Sequence, residues 1–125
     1  MTRRLSTAEK VDRSVLEADF QSQVLQLAGL LRWRRAHFRP GLNRRGEWQT
    51  AVQGDGAGFP DLILVRGGRV VAVELKSELG RTTPEQEGWL AALAQAGIEA
   101  CVWRPSDFRS GAIQRCLSSS TGKRP

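Results

Sequence analysis

At 125 residues the chain is long enough for one hydrophobic core and too short for two. Its composition, 40% hydrophobic and 26% charged, is that of an ordinary globular protein, while 19 Lys and Arg against 13 acids give a net charge of +6 that favours a polyanionic partner, nucleic acid ahead of anionic membrane. No apolar run approaches the roughly eighteen residues of a membrane span, and the start MTRRLSTAEK lacks the apolar segment of a signal peptide, so a cytoplasmic protein is expected.

Residues 1–13 are polar and mixed in charge, an extension ahead of a single domain over residues 14–117, and SSSTGKRP at 118–125 has the composition of a flexible tail. From Ser14 the pattern is helical. Phe20, Val24, Leu27 and Leu31 recur on one buried face, with Leu16, Ala28 and Leu30 widening it. Glu17 falls on that face, whereas Asp19 lies about 200° around the helix, toward water. Ser14-x-x-Glu17 also reads as a capping box, a purely structural role. Both roles coexist only if the helix begins earlier, at Ser6 or Thr7.

Trp33–Phe38 (WRRAHF) reads as the first strand. His37 in it is either a base or phosphate contact or, more commonly for a lone strand histidine, a structural hydrogen-bonding group. The following RPGLNRRGEWQT is a basic loop in which Arg39, Arg44 and Arg45 beside Trp48 suit a DNA backbone and a stacked base, although an exposed basic loop is also the commonest kind of surface. GDGAGF at 54–59 lacks the lysine and spacing of a Walker loop. Its glycines either admit a phosphodiester close to the main chain or form a turn leading into a strand, and Asp55 is a spare carboxylate there.

The stretch FPDLILVRGGRVVAVELKS, Phe59 to Ser77, is the centre of the chain. Gly67-Gly68 tolerates the positive φ of a tight hairpin turn, which sets Arg66 against Arg69, Val65 against Val70, Leu64 against Val71, Ile63 against Ala72 and Leu62 against Val73. Asp61 then falls opposite Glu74. Both strands are apolar on both faces, as in a hairpin covered from both sides, and Pro60 stands at the strand start where proline is tolerated. Like charges so opposed repel. A cation removes the conflict, and Lys76, two residues past Glu74, points to the same face. Two hard oxygen ligands with a nearby ammonium suit Mg²⁺, with Mn²⁺ as a substitute.

Beyond Lys76, Ser77 and Arg81 close the rim of the same pocket as phosphate contacts. Thr83 is an N-cap, Pro84 suits the first helical position and Gln86 completes a capping box. This helix presents Trp89, Leu90, Leu93 and Ala94 and ends at Gly97. Ile98–Arg104 is a strand that should pair parallel to the Glu74 strand through the helical crossover. A short helix over residues 107–117, weakened by Gly111, closes the domain. Cys101 and Cys116, without CxxC spacing and with one histidine in the chain, disfavour zinc and read as two half-buried thiols. The order of elements gives an α/β class with a central mixed β-sheet flanked by helices.

Pro60-Asp61 followed by Glu74-Leu75-Lys76 resembles the PD-(D/E)xK nuclease signature. Arg81-Thr82-Thr83-Pro84-Glu85-Gln86 with Trp89-Leu90 resembles the VRR-NUC branch of that superfamily, including small stand-alone phage and bacterial members; the resemblance covers Glu17 to Asp107. It implies a restriction-endonuclease-like αβββαβ core and a Mg²⁺-dependent endodeoxyribonuclease in a bacterial or phage-infected cell. Asp61, Glu74, the carbonyl of Leu75 and Glu17 would be the metal ligands, with Lys76 and Gln86 completing the catalytic group. Branched DNA such as a Holliday junction, met by a homodimer, is the implied substrate. Two other classes compete: a catalytically inactive DNA-binding protein with the same fold, and an α/β domain in which Asp61, Glu74 and Lys76 form a structural ion cluster, a costly arrangement unless fully satisfied.

Overall fold

The computed structural model describes residues 7–38, 41–42, 48–49 and 54–120. In chain order the elements are α1 (Thr7–Leu30), β1 (Arg34–His37), β2 (Gly41–Leu42), β3 (Trp48–Gln49), β4 (Leu62–Arg66), β5 (Arg69–Leu75), α2 (Pro84–Gln95), β6 (Glu99–Trp103), α3 (Pro105–Arg109) and α4 (Ala112–Ser118). The main sheet runs β1-β4-β5-β6, antiparallel except for the parallel β5–β6 pair. The small β2–β3 hairpin, with Gly41 opposite Gln49 and Leu42 opposite Trp48, stands where a loop was expected. With that hairpin set aside, the expected αβββαβ order is present. No described helix is long and apolar enough to cross a membrane.

The two-glycine turn sets the sheet. Gly67 and Gly68 take φ of 52° and 83°, values that bring no Cβ clash for glycine. Every rung from Arg66↔Arg69 to Leu62↔Val73 lies in the expected register. The facing arginines avoid repulsion by leaving the strand plane. Arg69 forms a two-pronged ion pair with Glu99 at 2.7 and 2.9 Å, and Arg66 donates to the Leu31 and Ser119 carbonyls. Both guanidinium groups lie within 5.0 Å of the Trp33 ring centroid.

Burial separates the hairpin strands. β5 is covered on both faces, as expected of a central strand, but β4 buries only Leu62 and Leu64, while Val65 is 38% exposed. Val71, Val73 and Leu75 join Leu62 and Leu64 in a core with Phe20, Val24 and Ala28 of α1 and Ile113 and Leu117 of α4. Glu74 must therefore point to the other face of the sheet, where α2 packs.

Four local expectations need correction. α1 begins at Thr7 and not at Ser14, so Ser14 is inside the helix and cannot be its cap. Leu16 and Leu30, expected on the buried face, are 68% and 80% exposed, because the stripe that meets the sheet is narrower, centred on Phe20, Val24 and Ala28. The single C-terminal helix expected over 107–117 is two, α3 and α4, divided at Gly111, whose φ of 82° no continuous helix accommodates. On α2 the faces follow expectation for Trp89, Leu90 and Leu93, which are half-buried, but Ala94 is exposed.

Candidate active site

Asp61 stands one residue beyond the last β4 rung. Its carbonyl accepts from the Phe38 amide at 2.7 Å, which continues the β1 ladder, while its side chain turns along β5 and accepts from the Leu75 amide at 3.0 Å. The carboxylate thus takes the place of a main-chain acceptor at the point where the β4 ladder has ended. A strand residue directs its amide and carbonyl to the same neighbour, so the Leu75 carbonyl also projects on the Asp61 side.

Glu74 is 3% exposed. Burial, then the charge of Asp61 and the contact between the two carboxyls, push the Glu74 carboxyl up from 4.5 to about 8, with Lys76 pulling the other way. One of its oxygens, Oε1, accepts from Gln86 Nε2 at 2.9 Å. The other, Oε2, is buried and, when the acid is ionised, has no hydrogen-bond partner among the described residues; protonated, the acid can share its hydrogen with Asp61. A buried oxygen left without a donor costs free energy that a native structure seldom bears for packing alone. Converging hard carboxylate oxygens, one of them orphaned, fit a small divalent cation of the Mg²⁺ kind.

Gln86 caps α2 and also reaches Glu74. Its side-chain oxygen accepts from the Thr83 amide at 2.9 Å, its own amide donates to Thr83 Oγ1 at 3.2 Å, and its carboxamide nitrogen reaches Glu74. The capping box fixes the rotamer that places the donor on Glu74. Gly58 completes this corner. A Cβ there would lie 2.6 Å from the Glu85 carbonyl carbon and 2.7 Å from the Gln86 nitrogen, and its φ is 84°. The close approach expected of this glycine-rich loop is thus made by the chain's own helix. Trp89 Nε1 donates to the Asp55 carbonyl at 2.9 Å, and Phe59 packs edge-on against both Trp89 and Phe38. The Asp55 side chain is exposed.

Lys76 follows β5, its amide donating to the Trp103 carbonyl at 3.0 Å. It lines a cleft of about 650 Å³ with Leu75, Ser77, Glu78 and Gly80 on one side and Leu16, Glu17, Asp19, Phe20, Gln21 and Gln23 of α1 on the other. Glu17 faces this cleft, but so does Asp19, and the expected separation of the two by helix angle does not hold: both are exposed and both line the same wall. Among the described residues no three His, Cys, Asp or Glu side chains form a group able to hold a metal ion. The reason is the sheet itself: α1 packs on the Leu75 face, whereas Glu74 looks toward α2, and Lys76 at the strand end is the residue that meets both.

Ser77 lies on the cleft wall, Arg81 is exposed beyond it, and His37 is half-buried opposite Leu62. Arg39, Arg44 and Arg45 lie outside the described residues. Cys101 is inert as a nucleophile, since burial pushes its thiol up to about 12. Sequence reasoning missed the lock on the turn after Lys76. Arg104 Nη1 donates to the carbonyls of Ser77 and Gly80, both at 2.6 Å, and Glu78 accepts from Ser106 Oγ at 2.8 Å and Arg109 Nη2 at 2.9 Å. Nothing in the local pattern of residues 77–80 announces a partner some 25 positions away.

The VRR-NUC domain family model matches residues 11–107. A solved structure of a VRR_NUC domain protein is similar at 28% identity, over 54% of this chain and 62% of that one, with a TM-score of 0.43, so the match spans about three fifths of that protein's chain. No curated protein matches.

Proposed function

The chain belongs to the VRR-NUC family, a nuclease family, and from that premise we propose that it is a metal-dependent DNA endonuclease that hydrolyses phosphodiester bonds and prefers branched DNA, as a Holliday-junction resolvase does. The observation that carries the reading is the orphaned, buried Glu74 Oε2 beside Asp61. A structural ion cluster would satisfy that oxygen, and an inactive DNA-binding relative gains nothing by keeping the pair in an apolar hairpin.

Asp61, Glu74 and the Leu75 carbonyl would hold Mg²⁺, with Mn²⁺ as a substitute, and Glu17 would complete the site from the α1 wall, through water or through a second ion. When bound, the ion supplies Lewis-acid polarisation of the scissile phosphate and acidifies water. Gln86 holds Glu74 in place through the capped helix. Lys76 would either orient the attacking water or help deprotonate it, and would offset the charge that builds on the phosphorus centre. Ser77, Arg81 and the basic segment with Arg39, Arg44 and Arg45 contact phosphates, in keeping with the net charge of +6. A homodimer would set two such sites on the two strands of a four-way junction.

The test is incubation with plasmid, flap and four-way junction DNA with and without Mg²⁺. Cleavage is expected only with the ion and fastest on branched DNA. Glu74→Ala and Lys76→Ala should each lower the rate by about 10² or more while DNA binding survives. Wild-type rates in either variant overturn the mechanism. Asp61→Asn keeps an acceptor for the Leu75 amide but removes the charge, so Mn²⁺ titration calorimetry should show heat for the wild type and none for this variant.

A further inference from the structure

Leu79 is 89% exposed, more than any other large apolar side chain among the described residues. A single exposed leucine on a surface is ordinary. This one sits at the tip of the turn that begins directly after Lys76, and its neighbours Glu78 and Gly80 line the cleft.

The turn is also tethered at several points. Arg104 grips the carbonyls on both sides of Leu79, Ser106 and Arg109 bind the Glu78 carboxylate, and the Gly80 amide closes on the Ser77 carbonyl at 3.2 Å. A Cβ at Gly80 would lie 2.8 Å from Ser77 Oγ, so the loop is tight as well as tethered. A tethered base with a bare apolar tip presents a side chain whose burial against an apolar partner would be favourable.

We propose that Leu79 is a wedge that inserts beside an unstacked nucleobase at a discontinuity in the DNA and so selects substrates whose bases are already parted near the scissile bond. The occupant follows from position. The turn is continuous with Lys76, the chain carries a net charge of +6, and leucine is among the side chains that part base steps when a protein kinks or opens a duplex. The cleft beside the turn, about 650 Å³, has Phe20, Leu75, Gln21 and Gln23 in its wall, which a displaced base could meet, together with the carboxylates of Glu17, Asp19 and Glu78 and the cations of Lys76 and Arg109. The inference rests on the nuclease reading for its biological meaning but is tested by binding as well as by cleavage.

A forked DNA with 2-aminopurine at the first paired position is mixed with the protein in Ca²⁺, and its fluorescence is read on binding. The wild type should raise the signal severalfold as the base unstacks. Leu79→Ala and Leu79→Ser should bind without the rise, and Leu79→Met should restore it. In Mg²⁺, Leu79→Ala should cut the fork about tenfold more slowly and leave the cutting of continuous duplex unchanged. Absence of the fluorescence rise with the wild type, or the same rise in Leu79→Ala, overturns the wedge even if the protein cleaves DNA. If the wild type cleaves no DNA in Mg²⁺, the nuclease reading fails, and the fluorescence arm still decides whether Leu79 parts bases.

Discussion

Glu74 is 3% exposed, with an ordinary pKa of 4.5 raised to about 8 by burial first and by Asp61 second. The folded state therefore holds a proton that the unfolded chain has released between those two values. Stability from this group is fully present below about pH 4.5 and is lost as pH rises through about 8. Glu74→Gln cannot ionise but keeps an acceptor for Gln86. In EDTA the variant should match the wild type near about pH 5 and exceed it by about 1–3 kcal/mol near about pH 8.5. Mg²⁺ should then stabilise the wild type at the higher pH and leave the variant unmoved. Scanning calorimetry at the two values decides it, and parallel pH dependence in the two proteins would show that Glu74 carries no raised pKa. That Asp61 and Glu74 would meet was legible in the sequence from strand register alone. That one Glu74 oxygen would be held by Gln86 was not, because the capping box and the site looked like competing uses of one side chain.

Among the elements, the corner where the 54–60 loop meets α2 is the most sensitive to a single methyl group. Gly54, Gly58 and Gly111 all have positive φ, so each disfavours a side chain, but their surroundings differ. Nothing lies within 4 Å of a Cβ at Gly54, and at Gly111 the nearest atom is the mobile end of Arg115 at 3.0 Å. At Gly58 the obstruction is the α2 backbone. Alanine at Gly54 and Gly111 should each cost about 1–2 kcal/mol, whereas Gly58→Ala must add the cost of lifting the loop from the helix and should exceed them by about 1–3 kcal/mol. Thermal denaturation of the three variants gives the order, and equal losses would mean that the Gly58 contact has no energetic weight. The hairpin was legible because a glycine pair between two short apolar runs is a signal that acts over a few residues. The β2–β3 hairpin was not, since its two-residue strands leave no period to read. The break at Gly111 was visible only as weakness, because φ there is chosen by how α3 and α4 pack.

For the whole molecule, the C-terminal helix completes the core from beyond the family match, which ends at residue 107. Ile113 and Leu117 are fully buried against α1 and the hairpin. The end of α4 is fastened by donors from three strand-side residues: Trp33 Nε1 to the Leu117 carbonyl at 2.9 Å, Arg69 to the carbonyls of Cys116 at 3.0 Å and Ser119 at 2.6 Å, and Arg66 to Ser119 at 2.7 Å. Those donors serve carbonyls that the last helical turn leaves without intrahelical partners. In the sequence Arg66 and Arg69 were legible only as facing residues at a hairpin end, and the last helix only as a short, weakened one, because neither segment names the other. Together they close the fold. Leu117→Ala should cost about 2–5 kcal/mol, a large share of the roughly 5–15 kcal/mol that keeps a domain folded. Ending the chain after Ser110 removes both buried side chains and strips Trp33, Arg66 and Arg69 of the acceptors that residues 116–119 supply, so the shortened protein should show no cooperative thermal transition and no near-ultraviolet dichroism from Trp33. A cooperative transition within a few degrees of the full chain would mean that α4 rests on a core already complete without it.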